Sequence, residues 1–504
     1  MNTMMLKREK SMDGNKDEYL VPLVRDEEAQ GGVGAGAACA DDYDRNDGDG
    51  TVRAYKSRFW VLGVFSFLAV MQSCTWNIYA PIQQEVNIAF GWDNEYIKWS
   101  VNTANIAFVL VLAPTSLAIG KYGFRRVVVV SGFLLFLCVA LRLCCFIKGI
   151  HDGSAYKVIS LVAMVLNGAS GGVSNFGGPV LSERWFPPNE RTTATAVGTV
   201  SCYLGSALGF LIGPLIVGEP RDADAASRNI ALLFVWEAAL VSVGVIAAIL
   251  YFPERPPTPP SEAAALKLQD VASGTANGKY GVFFGKSSKD ANLVKFWWIV
   301  LGFGLPLGCY QAWTSILDLC LGDFISSAEA GVLGCLMTTS GCIGSVIVGA
   351  FMDKFSGRLK LTSCALLFIS CIAFILFCIN GAGGFALDHG ERVIVAYVLG
   401  ILGGFAFNCS IPLCFEMVLE TVFPWGDSNA ASSLIVLTGS SIQVFFLLVP
   451  NKINGSAQWT GWVSAMSVVA AAFMVAFVKL DYARLRLDSA SPSVACRFDK
   501  AGVI

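Results

Sequence analysis

The chain has 504 residues, 54% of them hydrophobic and 15% charged, whereas a soluble globular domain carries about 25% charged residues. A net charge of −2 with only two histidines gives no basis for a nucleic-acid partner or a multi-histidine metal site. Mean hydropathy is +0.58, so the main solvent of this chain is lipid, and nothing in its composition asks for a cofactor.

Residues 1–58 are polar and glycine-rich, with acidic residues crowded from Asp41 to Asp49. This composition predicts a disordered cytoplasmic tail. Within it, Asp17-Glu18-Tyr19-Leu20-Val21-Pro22-Leu23-Val24 resembles an acidic dileucine sorting signal, with Pro22 where a leucine belongs.

Apolar runs of about twenty residues follow, each long enough to cross a bilayer as a helix. Twelve are expected, at 59–82, 98–119, 126–147, 157–180, 192–217, 229–252, 296–320, 328–351, 360–380, 391–420, 430–450 and 458–479. The proline-rich stretch Pro253-Glu254-Arg255-Pro256-Pro257-Thr258-Pro259-Pro260 cannot continue a helix. It opens a linker, 253–291, that divides the chain into a six-helix bundle at 59–252 and another at 292–480, followed by a cytoplasmic tail at 481–504. The expected fold is therefore an all-α membrane protein of twelve transmembrane helices in two six-helix halves.

Lysines and arginines fix the orientation. Lys56, Arg58, Lys121, Arg125, Arg126, Arg184, Arg191, Lys354, Arg358, Lys360, Lys479, Arg484 and Arg486 gather on one face, and both termini with them. The other face carries Glu85, Asp93, Glu95, Asp222, Asp224, Asp323, Glu329, Asp388 and Glu391. Asn454-Gly455-Ser456 lies on that acidic face and makes Asn454 a candidate glycosylation site. Most of the sixteen cysteines sit inside apolar runs and read as small buried hydrophobes.

Polar groups inside lipid-length segments are costly and mark pathways. In the first run, Gln72, Trp76, Tyr79 and Gln83 fall on one helical stripe, suited to stacking a flat ring or holding a cation over a π face. An interfacial aromatic belt is the alternative. The fourth run holds Asn167, Ser170, Ser174 and Asn175, for substrate contact or for bonds between helices. The fifth holds Gly205, Gly209 and Gly213, a spacing for close helix packing. Glu237 lies about a third of the way into the sixth run from the acidic face. It is a candidate to carry a proton, or else a neutral carboxyl bonded to a neighbouring helix. Tyr310, Gln311, Trp313 and Thr314 follow Pro306 in the seventh run, and Asp318 lies near its end as a solvated charge. Asn408, Pro412, Glu416 and Glu420 step along the tenth, where the two glutamates either couple protons or pair with the basic loops. Gln443 interrupts the apolar eleventh run.

The halves echo one another. Gly120-Lys121-Tyr122-Gly123-Phe124-Arg125-Arg126 follows the second run, and Gly349-Ala350-Phe351-Met352-Asp353-Lys354 with Gly357-Arg358-Leu359-Lys360 follows the eighth. Both resemble the gating-loop motif of the major facilitator superfamily, whose fold has two equivalent halves around a central cavity. Asp353 and Arg358 complete the second copy, whereas Gly120 stands where the first needs an acid. A membrane-embedded enzyme would need a clustered nucleophile and base; His151 and His389 both lie in loops, so no enzyme is expected. A nutrient sensor that binds without transporting is a further alternative.

Three segments carry a more specific resemblance. Phe65-Ser66-Phe67-Leu68-Ala69-Val70-Met71-Gln72 with Trp76-Asn77-Ile78-Tyr79-Ala80-Pro81-Ile82-Gln83, the segment from Trp185 through Pro187 and Arg191 to Ala196, and Phe415-Glu416-Met417-Val418-Leu419-Glu420-Thr421-Val422-Phe423-Pro424 resemble solute carrier family 49. Tyr251 to Ser261 and Tyr482 to Asp488 resemble its lysosomal branch. The resemblance implies a carrier in the lysosomal membrane, with the plasma membrane as the alternative, moving pyridoxine, a form of vitamin B6, together with protons. Sister branches imply choline, ethanolamine or haem instead. In the choline carriers a tryptophan of the first helix belongs to an aromatic cage; Trp76 matches it, and Gln443 roughly matches a glutamine of that site. Glu237 and Asn408 match polar positions of the lysosomal branch.

Overall fold

The computed structural model describes residues 52–146, 154–218, 222–272, 291–321, 325–449 and 457–490. All of them belong to one compact unit, Asp44–Ile504. Residues 1–51, with the dileucine-like segment, and Asn454 lie outside the described residues, whereas the first helix already begins at Ser57, inside the expected tail.

Twelve helices are long and apolar enough to cross a bilayer among the described residues. They are α1 (Ser57–Trp76), α2 (Asn94–Tyr122), α3 (Phe124–Arg142), α4 (Ser154–Trp185), α5 (Arg191–Val217) and α6 (Ala223–Leu250), then α7 (Ala291–Ser315), α8 (Ser327–Lys354), α9 (Leu359–Gly381), α10 (His389–Val422), α11 (Ser428–Leu448) and α12 (Gln458–Phe477). Even α3, with 19 residues, spans about 28 Å at 1.5 Å per residue. Leu215, Leu250, Phe445 and Phe477 are each more than 70% exposed on the outside of this bundle. Water would penalise such a surface, and hydrocarbon does not.

Several helices run past their expected ends. α4 continues through Glu183 and Arg184, and α8 through Asp353 and Lys354; Glu183, Arg184 and Asp353 each find a partner described below. The first helix instead stops early. It ends at Trp76, turns, forms a single 3-10 turn at Ala80–Ile82 around Pro81, and resumes as a short helix, Gln83–Phe90. Proline disfavours helical geometry in the residue before it, which accounts for the interruption. The linker carries no helix through its prolines, then forms Glu262–Ala272. A last short helix, Ala483–Ala490, follows α12.

The halves α1–α6 and α7–α12 pack against each other along α2 with α11 and α5 with α8, and further where α11 meets α4 and α10 meets α5. The first half keeps its own core near the acidic face, built on Tyr79, Trp92, Tyr156 and Phe234. Within it, α5 lies close on α1 because Gly205 and Gly209 have no side chain there. A Cβ on Gly209 would stand 2.8 Å from the Cys74 carbonyl oxygen, and one on Gly205 would meet the Val70 carbonyl. Replacing Gly209 by valine is therefore expected to cost about 1–3 kcal/mol, as overpacking does. The check is a lowered Tm in detergent, with Gly63→Ala as the control, since nothing lies within 4 Å of a Cβ there.

Candidate functional site

Polar groups stand partway along the helices of both halves, and Gln311 with Tyr203 bonds across the boundary. Trp76, half-buried at the end of α1, sets its ring edge-on to Phe108, with centroids 5.6 Å apart. Beside it Gln72 donates to Asn167 Oδ1 at 3.0 Å. Asn175, half-buried on α4, donates back to Gly171 O at 3.1 Å. From the second half, Gln311 reaches the Tyr203 hydroxyl of α5 at 3.4 Å. Asn408 donates to the Tyr310 hydroxyl at 3.2 Å and to Gly404 O at 2.8 Å. Gln443 is half-buried on α11. These side chains are amides, hydroxyls and rings, and none bears a formal charge.

Two expected members stand elsewhere. Tyr79 is wholly buried inside the first half, where its hydroxyl meets Ser160 Oγ at 3.0 Å. The break of α1 after Trp76 takes Tyr79 off the helical stripe that 3.6 residues per turn predicted. Trp313 is buried inside the second half, edge-on to Phe374 and Phe377 at 5.4 Å each. Its three-residue spacing from Tyr310 put both on one face, but that face turns partly toward α9 and α10, where Tyr310 itself stacks on Phe374 and packs on Phe407.

Glu237 is buried on α6 and paired with Arg142 at the end of α3, Nη1 to Oε2 at 3.3 Å. Arg142 Nη2 also donates to the Thr75 carbonyl at 3.0 Å, and its guanidinium lies 4.9 Å from the centre of the Tyr79 ring. Removing one partner of such a buried pair strands a charge and typically costs about 3–5 kcal/mol. The sequence reading missed Arg142, taking it as part of the apolar third run. The available signal was a lone arginine and a lone glutamate within separate spans, since such charges pair with one another.

At the basic face the passage is shut by ion pairs that cross between the halves. Asp353 at the end of α8 accepts from the backbone N–H groups of Thr192 and Thr193 at 2.8 and 2.9 Å. It thereby caps the first turn of α5, where unpaired N–H groups and the helix dipole favour an anion. Glu416 accepts from Thr195 Oγ1 at 2.6 Å and from Arg484. Arg484, in the short helix after α12, also bonds Glu420 at 3.1 Å and approaches Glu183 of α4 at 3.5 Å. Burial opposes its charge, but Glu416, Glu420, Glu183 and Asp488 outweigh that and raise its pKa. Lys267 of the linker helix binds Glu183 at 2.5 Å and also Ser428 at the start of α11. Asp488 joins Arg191 at 3.2 Å.

Arg358 takes no part in that contact as placed here; it is exposed above the Phe355 ring at 6.0 Å. In the first half, where Gly120 stands in place of the acid, a linker carboxylate caps the helix that follows the loop. Glu254 accepts from the Phe124 and Arg125 N–H groups at 2.8 and 2.6 Å and pairs with Arg184 at 2.6 Å. Gly123, at φ 91°, allows this approach, since a Cβ there would sit 2.9 Å from the Glu254 carboxylate. Among the described residues no cluster of three His, Cys, Asp or Glu is placed to hold a metal.

Twelve spans in two halves, tied together at the basic face by ion pairs and hydrogen bonds, define the architecture of a polytopic membrane carrier. The family model of the Major Facilitator Superfamily matches residues 65–447. The solute carrier family 49 member 4 homolog of Xenopus laevis is 30% identical over 451 residues, covering 86% of this chain and 94% of that protein. The choline/ethanolamine transporter flvcr2b of Danio rerio is 25% identical over 413 residues, covering 80% of this chain and 79% of its own. The proton:xylose symporter XylE superposes with a TM-score of 0.64 at 15% identity, covering 84% of this chain and 96% of that one. The chain belongs to the major facilitator superfamily and, within it, to solute carrier family 49.

Replacing Arg484 by alanine leaves Glu183, Glu416 and Glu420 facing one another without their shared cation. The expected outcome is a basic face that opens more often, measured as at least a threefold faster labelling of a cysteine placed at Thr195. A rate equal to that of the parent chain would remove Arg484 from the closure.

Proposed function

We propose that this protein is a secondary active carrier that moves a small, neutral, hydrogen-bonding organic solute with protons across the lysosomal membrane, and that the solute is pyridoxine. It binds between the halves against Trp76, Asn175, Gln311, Asn408 and Gln443, with Tyr310 orienting Asn408. The observation that carries this reading is the absence of formal charge among those mid-depth groups, together with a flat aromatic ring in Trp76. A pyridine ring bearing hydroxyls takes stacking from the tryptophan and hydrogen bonds from the amides. Glu237 is the proton-carrying group, because its Oε1 is buried without a hydrogen-bond partner among the described residues and is the atom free to accept a proton.

Charge orientation supports the rest. The basic face is cytoplasmic and the acidic face luminal, which puts Asn454 on the side where glycosylation occurs. In the state described, α5–α10 and α4–α11 contacts and the ion pairs hold the cytoplasmic side closed, while α1 and α7 make no comparable contact. Trp76 supports a second reading: a relative named for choline and ethanolamine transport is 25% identical over 80% of this chain, and a quaternary ammonium would bind the indole by cation–π attraction, worth about 0.5–2 kcal/mol.

Uptake of labelled pyridoxine and of choline, each at pH 5.5 and 7.5, by cells carrying a surface-directed form separates the two. Pyridoxine uptake stimulated by acid is expected, and Glu237→Gln should abolish that response. Uptake of choline that ignores pH would reverse the assignment. Trp76→Ala is expected to raise KM at least tenfold with little change in surface expression.

A further inference from the structure

We infer that Arg142 is a positioning residue that carries the charge state of Glu237 to the substrate-facing end of α1. The inference rests on the reading of Glu237 as the proton-carrying group. The last carbonyls of a helix have no partner within it and depend on outside donors. α1 ends at Trp76, and the carbonyl directly before that residue, Thr75 O, receives its hydrogen bond from Arg142 Nη2 at 3.0 Å. The same guanidinium holds Glu237 through Nη1 at 3.3 Å. One rigid fork thus joins a carboxylate on α6 to the residue preceding the tryptophan that faces the passage.

Among the described residues, Arg142 is the charged neighbour placed to do this. Cys74 and Thr75 of α1, Tyr79 of the turn after it, and Cys138 and Arg142 of α3 are the groups that face Glu237. Tyr156 of α4 donates to the Arg142 carbonyl at 3.1 Å, and Met164 Sδ lies 3.0 Å from Nη2. Glu85, at the start of the short helix that also packs on α6, lies in its first turn. The Arg142 side chain has no exposure and that of Glu237 keeps 4%, so the pair is buried together. A proton added at Glu237 Oε1 leaves a neutral carboxyl opposite an uncompensated guanidinium. The pair loosens, Arg142 is drawn from Thr75, and the end of α1 is released with Trp76 on it. Lysine cannot replace this fork, because it offers one nitrogen where arginine offers two at fixed spacing.

Hydrogen–deuterium exchange on the full-length chain in lipid nanodiscs tests this without any substrate. The readout is protection of the amides from Trp76 to Ile82, corrected for the chemical exchange rate at each pH. In the parent chain, protection is expected to fall at least fivefold from pH 7.5 to 5.5. Glu237→Gln should show the low value at both pH values, and Arg142→Lys should do the same although it keeps its charge. If Arg142→Lys retains the parent's protection and pH response while Glu237→Gln loses it, the role of Arg142 is overturned and that of Glu237 stands. If Glu237→Gln retains the response, the proton assignment itself fails, and this inference with it. The double variant Arg142→Gln with Glu237→Gln strands no charge and guards against misfolding; parent-like protection in it at pH 7.5 would also overturn the inference.

Discussion

A charge surrounded by hydrocarbon has no water to turn to, and this constraint organises the molecule. The ionised side chains held deep in this protein have a counterion or a set of backbone N–H groups within reach. Arg142 has Glu237, Arg484 has three carboxylates, and Asp353 has the first turn of α5. The desolvation penalty of each group is several kcal/mol and is offset only by such partners. Because the partners stand on different helices, satisfying the charges also fixes how the helices sit.

The same physics makes the closure reversible. A carrier must exchange two arrangements of its halves, so neither can be favoured by more than a few kcal/mol. The basic face is held by hydrogen bonds to charged groups, which are directional and lost over a small separation.

Sequence alone made the architecture legible, because the length of an apolar run answers directly to bilayer thickness. Span number followed from that. Asp353 was singled out by the loop motif, but its place at the start of α5 came only with the fold. Arg142 was not, because a single arginine near the end of a run reads as an interfacial cation until the fold brings Glu237 to it. Tyr79 and Trp313 were assigned to the passage by helical periodicity. The periodicity failed for the first where Pro81 breaks the helix, and for the second because the stripe borders both the passage and the core of its own half. Glu416 and Glu420 had two readings, and the cation they meet, Arg484, comes from a segment beyond the last span.

That segment has a further implication. Ala483–Ala490 contributes Arg484 and Asp488 to the closure, and the linker helix contributes Lys267 to the same carboxylate, Glu183. Both helices lie outside the twelve spans, so part of the energy that governs a buried passage is stored in pieces of chain reachable from the aqueous phase. A fusion partner, an antibody or a modifying enzyme acting near the C-terminus would therefore bear on turnover as well as on trafficking.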